Sequence, residues 1–447
     1  MKKFFESLAS VWKIEELKNR ILITLGLLLV YRFGAHVTLP GIDATQLNSL
    51  AGQTKNGIGS ILDMFTGGAF SKASVFALGI MPYISASIVV QLMGIAIPYL
   101  QKLQKDGESG RKKLNQITRW LTILITLVQG PGYIYNLYQT LPNSAFMLGF
   151  DSFSFLFSSV LILTTGTVFA MWLGEKITDK GIGNGISLLI MVGILARLPQ
   201  AFIQEFSSTI TNNNGGPMLL VIEIIIWLLV IIACVLLVMA VRKIPVQYAR
   251  RTTTGDFEQD MMGGNRQWIP LKLNASGVMP IIFAQAIMFI PAALAGLSQS
   301  ETSQSIAGAF SNMFGFWYNL VFATLIVVFT FFYTAITVPT NKMADDLKRS
   351  GGFIPGIRPG VETSDFLDHI MSLITFPGSL FLALIAVFPA IVVSFGVQQS
   401  WAMFFGGTSL IIMVGVAIDT IQQINSYLLN KHYDGLMKSG KNRKAVA

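Results

Sequence analysis

The chain has 447 residues, 52% of them hydrophobic and only 12% charged, with a mean hydropathy of +0.60. A soluble domain carries roughly 25% charged residues, so this composition argues against one and points to a polytopic membrane protein. The single cysteine, Cys234, lies inside the apolar run IIIWLLVIIACVLLVMAV and excludes an intrachain disulfide. Its simplest role is that of a small buried apolar residue.

Residues 1–20, MKKFFESLASVWKIEELKNR, place Phe4, Phe5, Leu8, Val11 and Trp12 at helical spacing with charges between them. The first long apolar run begins only at Ile21, and no small-residue cleavage pattern follows it. The segment reads as a cytoplasmic amphipathic helix lying on the membrane surface rather than a signal peptide.

A spanning helix needs about 20 mainly apolar residues. Candidate spans are 21–39, 73–97, 118–138, 153–173, 184–204, 217–241, 275–296, 317–338, 370–394 and 402–422. Lysine and arginine in the connecting loops set the direction. Of the 32 basic residues, 28 fall before the first span, in 98–119, 174–183, 242–273 and 339–369, or after the last span. The alternate loops hold only Lys55 and Lys72, and Arg32 and Arg197 fall within spans. Both termini are therefore expected in the cytoplasm, and the net charge of +9 reflects topology rather than nucleic-acid binding.

The expected fold is all-α and polytopic, with ten transmembrane helices in two pseudo-symmetric inverted halves of five. The first half covers 21–205 and the second 206–425, followed by a basic cytoplasmic tail, 426–447. Five is odd, so the second half starts on the opposite side from the first, as in inverted repeats. A secondary transporter built this way is the alternative reading. It should carry carboxylates at mid-membrane. Glu223 and Asp419 lie near span ends, and Glu175 and Asp63 lie outside the spans, which weakens it.

Ahead of the second span, residues 57–79 (GIGSILDMFTGGAFSKASVFALG) are too short and too broken to cross the membrane. They fit a re-entrant half-helix buried in protein, or an ordinary extracellular helix. On a wheel of ~100° per residue, Ile80, Ile84, Ser87 and Gln91 share one stripe of about 60°. The stripe is apolar in its outer half and polar toward the cytoplasm. It fits a contact between helices or the wall of a water-filled cavity.

No catalytic constellation is present: His36, His369 and His432 stand apart, and no Cys–His pair exists. The stretch GIGNGIS (181–187) lacks the residues of a phosphate loop and reads as a tight turn into the fifth span. That span carries Ile186 and Ile190 four residues apart. Two cytoplasmic loops, 242–273 and 339–369, are unusually long and mix basic residues with Gly and Pro. Arg250, Arg251 and Arg358 suit acidic surfaces or phosphates. For most of the loop lysines and arginines, solvated positive-inside charge is the better account.

Several stretches closely resemble the bacterial SecY protein family: YRFGAHVTLPGID (31–43), FALGIMPYISASIVVQL (76–92), GIGNGIS, RKIPVQYARR (242–251), LKLNASGVMPIIFA (271–284), DLKRSGGFIPGIRPG (346–360) and GGTSLIIMVGVAID (406–419). The resemblance runs in order from about residue 14 to the tail. It implies a protein-conducting channel in the inner membrane, neither an enzyme nor a cofactor-binding protein. Such a channel passes unfolded client polypeptides and signal peptides, and releases hydrophobic segments sideways into lipid. It pairs with the small membrane subunits SecE and SecG and is driven by the SecA motor ATPase or a ribosome.

By the same resemblance, Ile80, Ile84, Ile186, Ile190, Ile282 and Ile412 would form the apolar pore ring. Residues 58–70, with Ile61, Leu62, Met64, Phe65, Gly67 and Gly68, would form the plug. A lateral gate would open between spans two and three and spans seven and eight, with Ser87 and Gln91 in the funnel or the gate. Arg250, Arg251 and Arg358 would serve motor or ribosome docking. The stretch TTTGDFEQDMMGGNRQW after Arg251 is longer than the usual family pattern.

Overall fold

Apolar runs become helices in lipid because backbone N–H and C=O groups there have no partner but one another. In the computed structural model, which describes residues 12, 14–47, 63–146, 152–211, 216–248, 266–285, 287–288 and 312–444, nine of the ten expected spans coincide with a helix. Residues 286 and 289–296 of the seventh, 275–296, which is helical at 279–285, lie outside the described residues. So do most of the N-terminal amphipathic segment and the loop tip at 249–265. Six described helices are long and apolar enough to cross a membrane alone, or seven if the bent pair Met81–Gly94 and Pro98–Gln104 counts as one span.

The first compact unit comprises Met1–Ser208, Gln399–Trp401 and Val416–Ala447. It contains α1 (Glu15–Gly34), α2 (Met81–Ala96), α3 (Pro98–Lys105), α4 (Gly107–Thr140), α5 (Ser152–Lys180) and nearly all of α6 (Gly185–Thr211). Helix α4 packs against α2, α3 and α5, while α1 lies along α5. With 34 residues, α4 is ~50 Å long and projects well beyond a hydrocarbon core of about 30 Å. Its buried Thr118, Thr122 and Thr126 each donate a hydroxyl to the carbonyl four residues earlier, so none is buried at the expense of an unmet hydrogen bond. One core of this unit gathers Leu39, Ile134, Leu137 and Leu163, all essentially inaccessible.

The second span differs from expectation. A helix was expected from residue 73, yet it begins at Met81, with Pro82 in its first turn where a missing N–H is harmless. Its 16 residues reach only ~24 Å, less than a hydrocarbon core. At its C-terminal end the chain turns by 104° into α3. Ile97 is extended there because Pro98 disfavours a helical residue before it.

The second unit comprises Thr209–Gln398 and Ala402–Gly415. It contains α7 (Gly216–Met239), β1 (Val241–Tyr248), β2 (Arg266–Lys272), α8 (Phe316–Thr337), α9 (Thr340–Arg349), β3 (Gly352–Phe353) and α10 (Val361–Ser394). Helices α8 and α10 pack along one another, and α10 also meets α7. Helix α7 leaves Ile225, Leu229, Ile232 and Leu236 exposed, as suits a face turned to lipid. The last helix, α11 (Gly407–Lys444), starts in this unit and continues into the first.

The strands were not anticipated. They form a three-stranded antiparallel sheet, ordered β2–β1–β3, inside what the sequence suggested were two separate loops. In β1, Ile244 and Val246 alternate with exposed or half-exposed neighbours and point into a small core with Leu271, Leu347, Ile354, Leu367 and Met371. Pro245 is tolerated because β3 pairs only with Gln247 and Tyr248, leaving β1 an edge at that point.

Candidate functional site

Ahead of α2, residues 66–80 run without a regular helix. Residues 63–65 form one helical turn, followed by turns as far as Ile80. Such backbone survives in a membrane only when buried in protein with its polar groups satisfied. Both conditions are met. Phe65, Thr66, Ala69, Phe70, Ser71, Ala73, Ser74, Phe76 and Ala77 are all buried. The Gly68 N–H reaches Asp63 O at 2.8 Å, and Ser74 N–H reaches Ala69 O at 3.1 Å. The chain just after α1 pairs with the segment through Leu39 N–H to Ala73 O and Val75 N–H to Val37 O. Tyr133 of α4 donates its hydroxyl to Phe70 O at 2.8 Å.

The centre of this segment is gripped by charge. Asp63 is buried, accepts the Ser71 N–H at 2.8 Å and forms an ion pair with Arg197 of α6. Arg197 also donates to the Ser71 hydroxyl at 2.9 Å, and Arg32 of α1 donates to Gly67 O at 3.1 Å. The two glycines make this approach possible. Gly67 and Gly68 have φ of +64° and +91°, in the left-handed region that disfavours a side chain. A Cβ on Gly67 would stand 2.6 Å from Arg32 Nη1 and 2.8 Å from Gly193 Cα, and one on Gly68 would stand 3.1 Å from Arg197 Nε.

Sequence reasoning placed Met64, Phe65, Gly67 and Gly68 in this segment, and they stand there together. Ile61 and Leu62 lie outside the described residues. Asp63, Ser71, Arg32 and Arg197 were missed as a group. The signal was available: Arg32 and Arg197 were the two basic residues left inside spans, and an ionisable group there calls for a partner. Asp63 was set aside because it lies outside every apolar run.

Of the six isoleucines, Ile80, Ile84, Ile186 and Ile190 belong to the first unit, and Ile282 and Ile412 to the second. Ile80, Ile190 and Ile412 are buried, while Ile84, Ile186 and Ile282 are half-buried. Ile80 is the residue just before α2, where the irregular segment ends. One turn apart on α2, Gln91 Nε2 donates to Ser87 Oγ at 3.3 Å, so the polar half of the stripe is continuous.

The turn at 181–185 is held from both ends of the chain. Thr24 of α1 accepts the Ile182 N–H at 3.1 Å, and Gln423 of α11 accepts the Gly183 N–H at 2.8 Å. Leu17 and Ile182 are buried against Ile424 and Leu428. Asn184 then caps α6 by accepting from the Ile186 and Ser187 N–H groups. This is a built turn with its donors occupied by protein, as its lack of phosphate-loop residues implied.

On the sheet side, Arg358 is strongly exposed, with Glu362 3.7 Å away. Its carbonyl accepts from Thr363 Oγ1 at 2.8 Å at the start of α10. Asn341 with Ser364, and Thr340 with Asp368, tie α9 to α10 through hydrogen bonds of 2.6 and 2.7 Å. The loop carrying Arg358 is thereby fixed to the sheet core. Arg250 and Arg251 follow the described end of β1 and lie outside the described residues. Among the described residues no group of His, Cys, Asp and Glu could hold a metal ion.

Comparison with known proteins agrees with this arrangement. The SecY family profile matches residues 74–421. The protein translocase subunit SecY of Aquifex aeolicus is 38% identical over 435 residues, covering 97% of this chain and 99% of that one. A solved protein-conducting channel superposes with a TM-score of 0.59 at 17% identity, covering 92% of each chain. The Sec61 channel of a canine ribosome–channel complex gives 0.55 at 17% identity, with the same coverage. The transporter alternative is not favoured by these matches. Matched by the family profile over 74–421 and by a relative over nearly its whole length, this chain belongs to the SecY family.

Proposed function

We infer that this chain is the channel subunit of a protein translocase, a membrane protein that conducts polypeptides and not an enzyme. Family membership over nearly the whole chain carries this reading. The buried irregular segment ahead of α2 is what a closed protein channel needs: a seal made of chain that can move without unravelling a spanning helix.

In finer detail, residues 58–70 are the plug. Ile80, Ile84, Ile186, Ile190, Ile282 and Ile412 take the roles of the apolar ring. A narrow ring of branched side chains resists hydrated ions through dewetting and gives a moving chain no hydrogen bonds to stick to. Ser87 and Gln91 line the funnel or the lateral gate, through which hydrophobic segments leave for lipid. The sheet of β1–β3 with Arg250, Arg251 and Arg358 forms the docking face for the SecA motor or a ribosome, the partner in the canine relative's complex. SecE and SecG complete the complex in the plasma membrane, with both termini cytoplasmic.

The test is reconstitution. A complex purified through a tag on this chain, placed in vesicles with SecA and ATP, should protect an unfolded secretory precursor from external protease. Ion-driven solute uptake without a motor, and no precursor protection, would overturn the reading.

A further inference from the structure

We propose that the Asp63–Arg197 ion pair is a latch that holds the plug in its closed seat and sets how readily this channel opens. The proposal rests on the channel reading above and adds a specific pair of residues to it.

Asp63 and Ser71 stand at the two ends of the turn that carries Gly67 and Gly68. One guanidinium from α6 engages both, pairing with the Asp63 carboxylate and donating to the Ser71 hydroxyl at 2.9 Å. The carboxylate in turn accepts the Ser71 N–H at 2.8 Å, which closes the turn on itself. Arg32, from a different helix, holds the middle of the same turn through Gly67 O. Gly193 in α6 lies against Gly67 without a side chain between them. A pair joining two regular helices would only brace the bundle. This pair joins a fixed helix to an irregular segment whose backbone depends on two left-handed glycines.

The electrostatics concentrate the resistance to opening in one place. A buried charge is tolerated only while its partner is in reach, so withdrawing the segment from α6 strands both charges together. The neutral bond from Tyr133 to Phe70 resists far less. Once water and a client enter, the local dielectric rises and the stranded charges are cheap to keep. The latch is therefore strong when the channel is dry and weak when it is occupied, which favours two states over a graded leak.

The experiment measures idle ion conductance of the reconstituted complex in planar bilayers, together with translocation of a precursor with a defective signal sequence. Asp63→Asn and Arg197→Gln should each raise both readouts about tenfold. Arg197 keeps part of its side chain exposed, so the effect is smaller than the hundredfold or so expected of a fully buried pair. The double variant should be no leakier than either single one, because a broken pair cannot be broken twice. Wild-type readouts in both single variants, or a double variant showing the product of the two effects, would overturn the latch. Recovery of the small subunits with each variant separates opening from misfolding. Deleting residues 63–71 separates the two levels: a deletion without added conductance sinks the plug reading itself, whereas a leaky deletion with tight single variants sinks only the latch.

Discussion

Tyr133 illustrates what a single side chain does in a protein whose exterior is as apolar as its core. Its ring packs on Phe70 with centroids 4.9 Å apart, and its hydroxyl meets the carbonyl of the same residue. Tyr133→Phe keeps the ring and leaves that buried acceptor without its donor, which should cost about 1–3 kcal/mol. Thermal unfolding of the detergent-solubilised complex should show a lowered Tm. Leu163→Ala, which opens a cavity in the same core, should lower it further, by about 2–5 kcal/mol. An equal or raised Tm for Tyr133→Phe would show that water replaces the hydroxyl. At this scale the sequence was only partly legible. The stripe of Ile80, Ile84, Ser87 and Gln91 follows from helical periodicity, because all four lie on or beside one regular helix. Asp63 and Arg197 are 134 positions apart in the sequence, and no local period links an irregular turn to a helix in the second half of its unit.

At the level of elements, hydropathy found the spans but misjudged where one begins. An apolar run reports composition, and residues 73–80 are apolar enough to extend α2. Their backbone turns instead, with left-handed residues at Ala73 and Gly79. The sheet was hidden for a different reason. Proline at 245 and 270 reads as a loop signal, and the alternation of Ile244 and Val246 covers too few residues to outweigh it. Val246 is fully inaccessible in the core beneath the sheet. Val246→Asp buries an unpaired charge there and should disorder the sheet proposed as the docking face. SecA-dependent translocation should fall about tenfold or more while the variant still inserts and retains its small subunits. Arg358→Glu, on an exposed site, should reduce translocation without lowering Tm. Undiminished translocation in both variants would remove the sheet from the docking role.

For the whole molecule, hydropathy in the sequence was informative about the spans, because apolar length is set by the bilayer rather than by packing. The division into units is a packing property and follows the chain less simply. It falls at Ser208 and Thr209, yet α11 passes from the second unit into the first at Val416. There Gln423, Ile424 and Leu428 complete the seat of the turn at 181–185. A covalent cut is therefore not a structural one. If the backbone is severed at 212–215, the downstream fragment still owns a helix that the upstream fragment needs in order to finish folding. Two genes, one encoding residues 1–211 and the other 216–447, should yield fragments that co-purify and restore translocation together. The pair should fail when the downstream fragment is truncated at residue 415. The chain is thus fastened at both ends, and the last helix works as a clasp that survives the loss of the connection it duplicates.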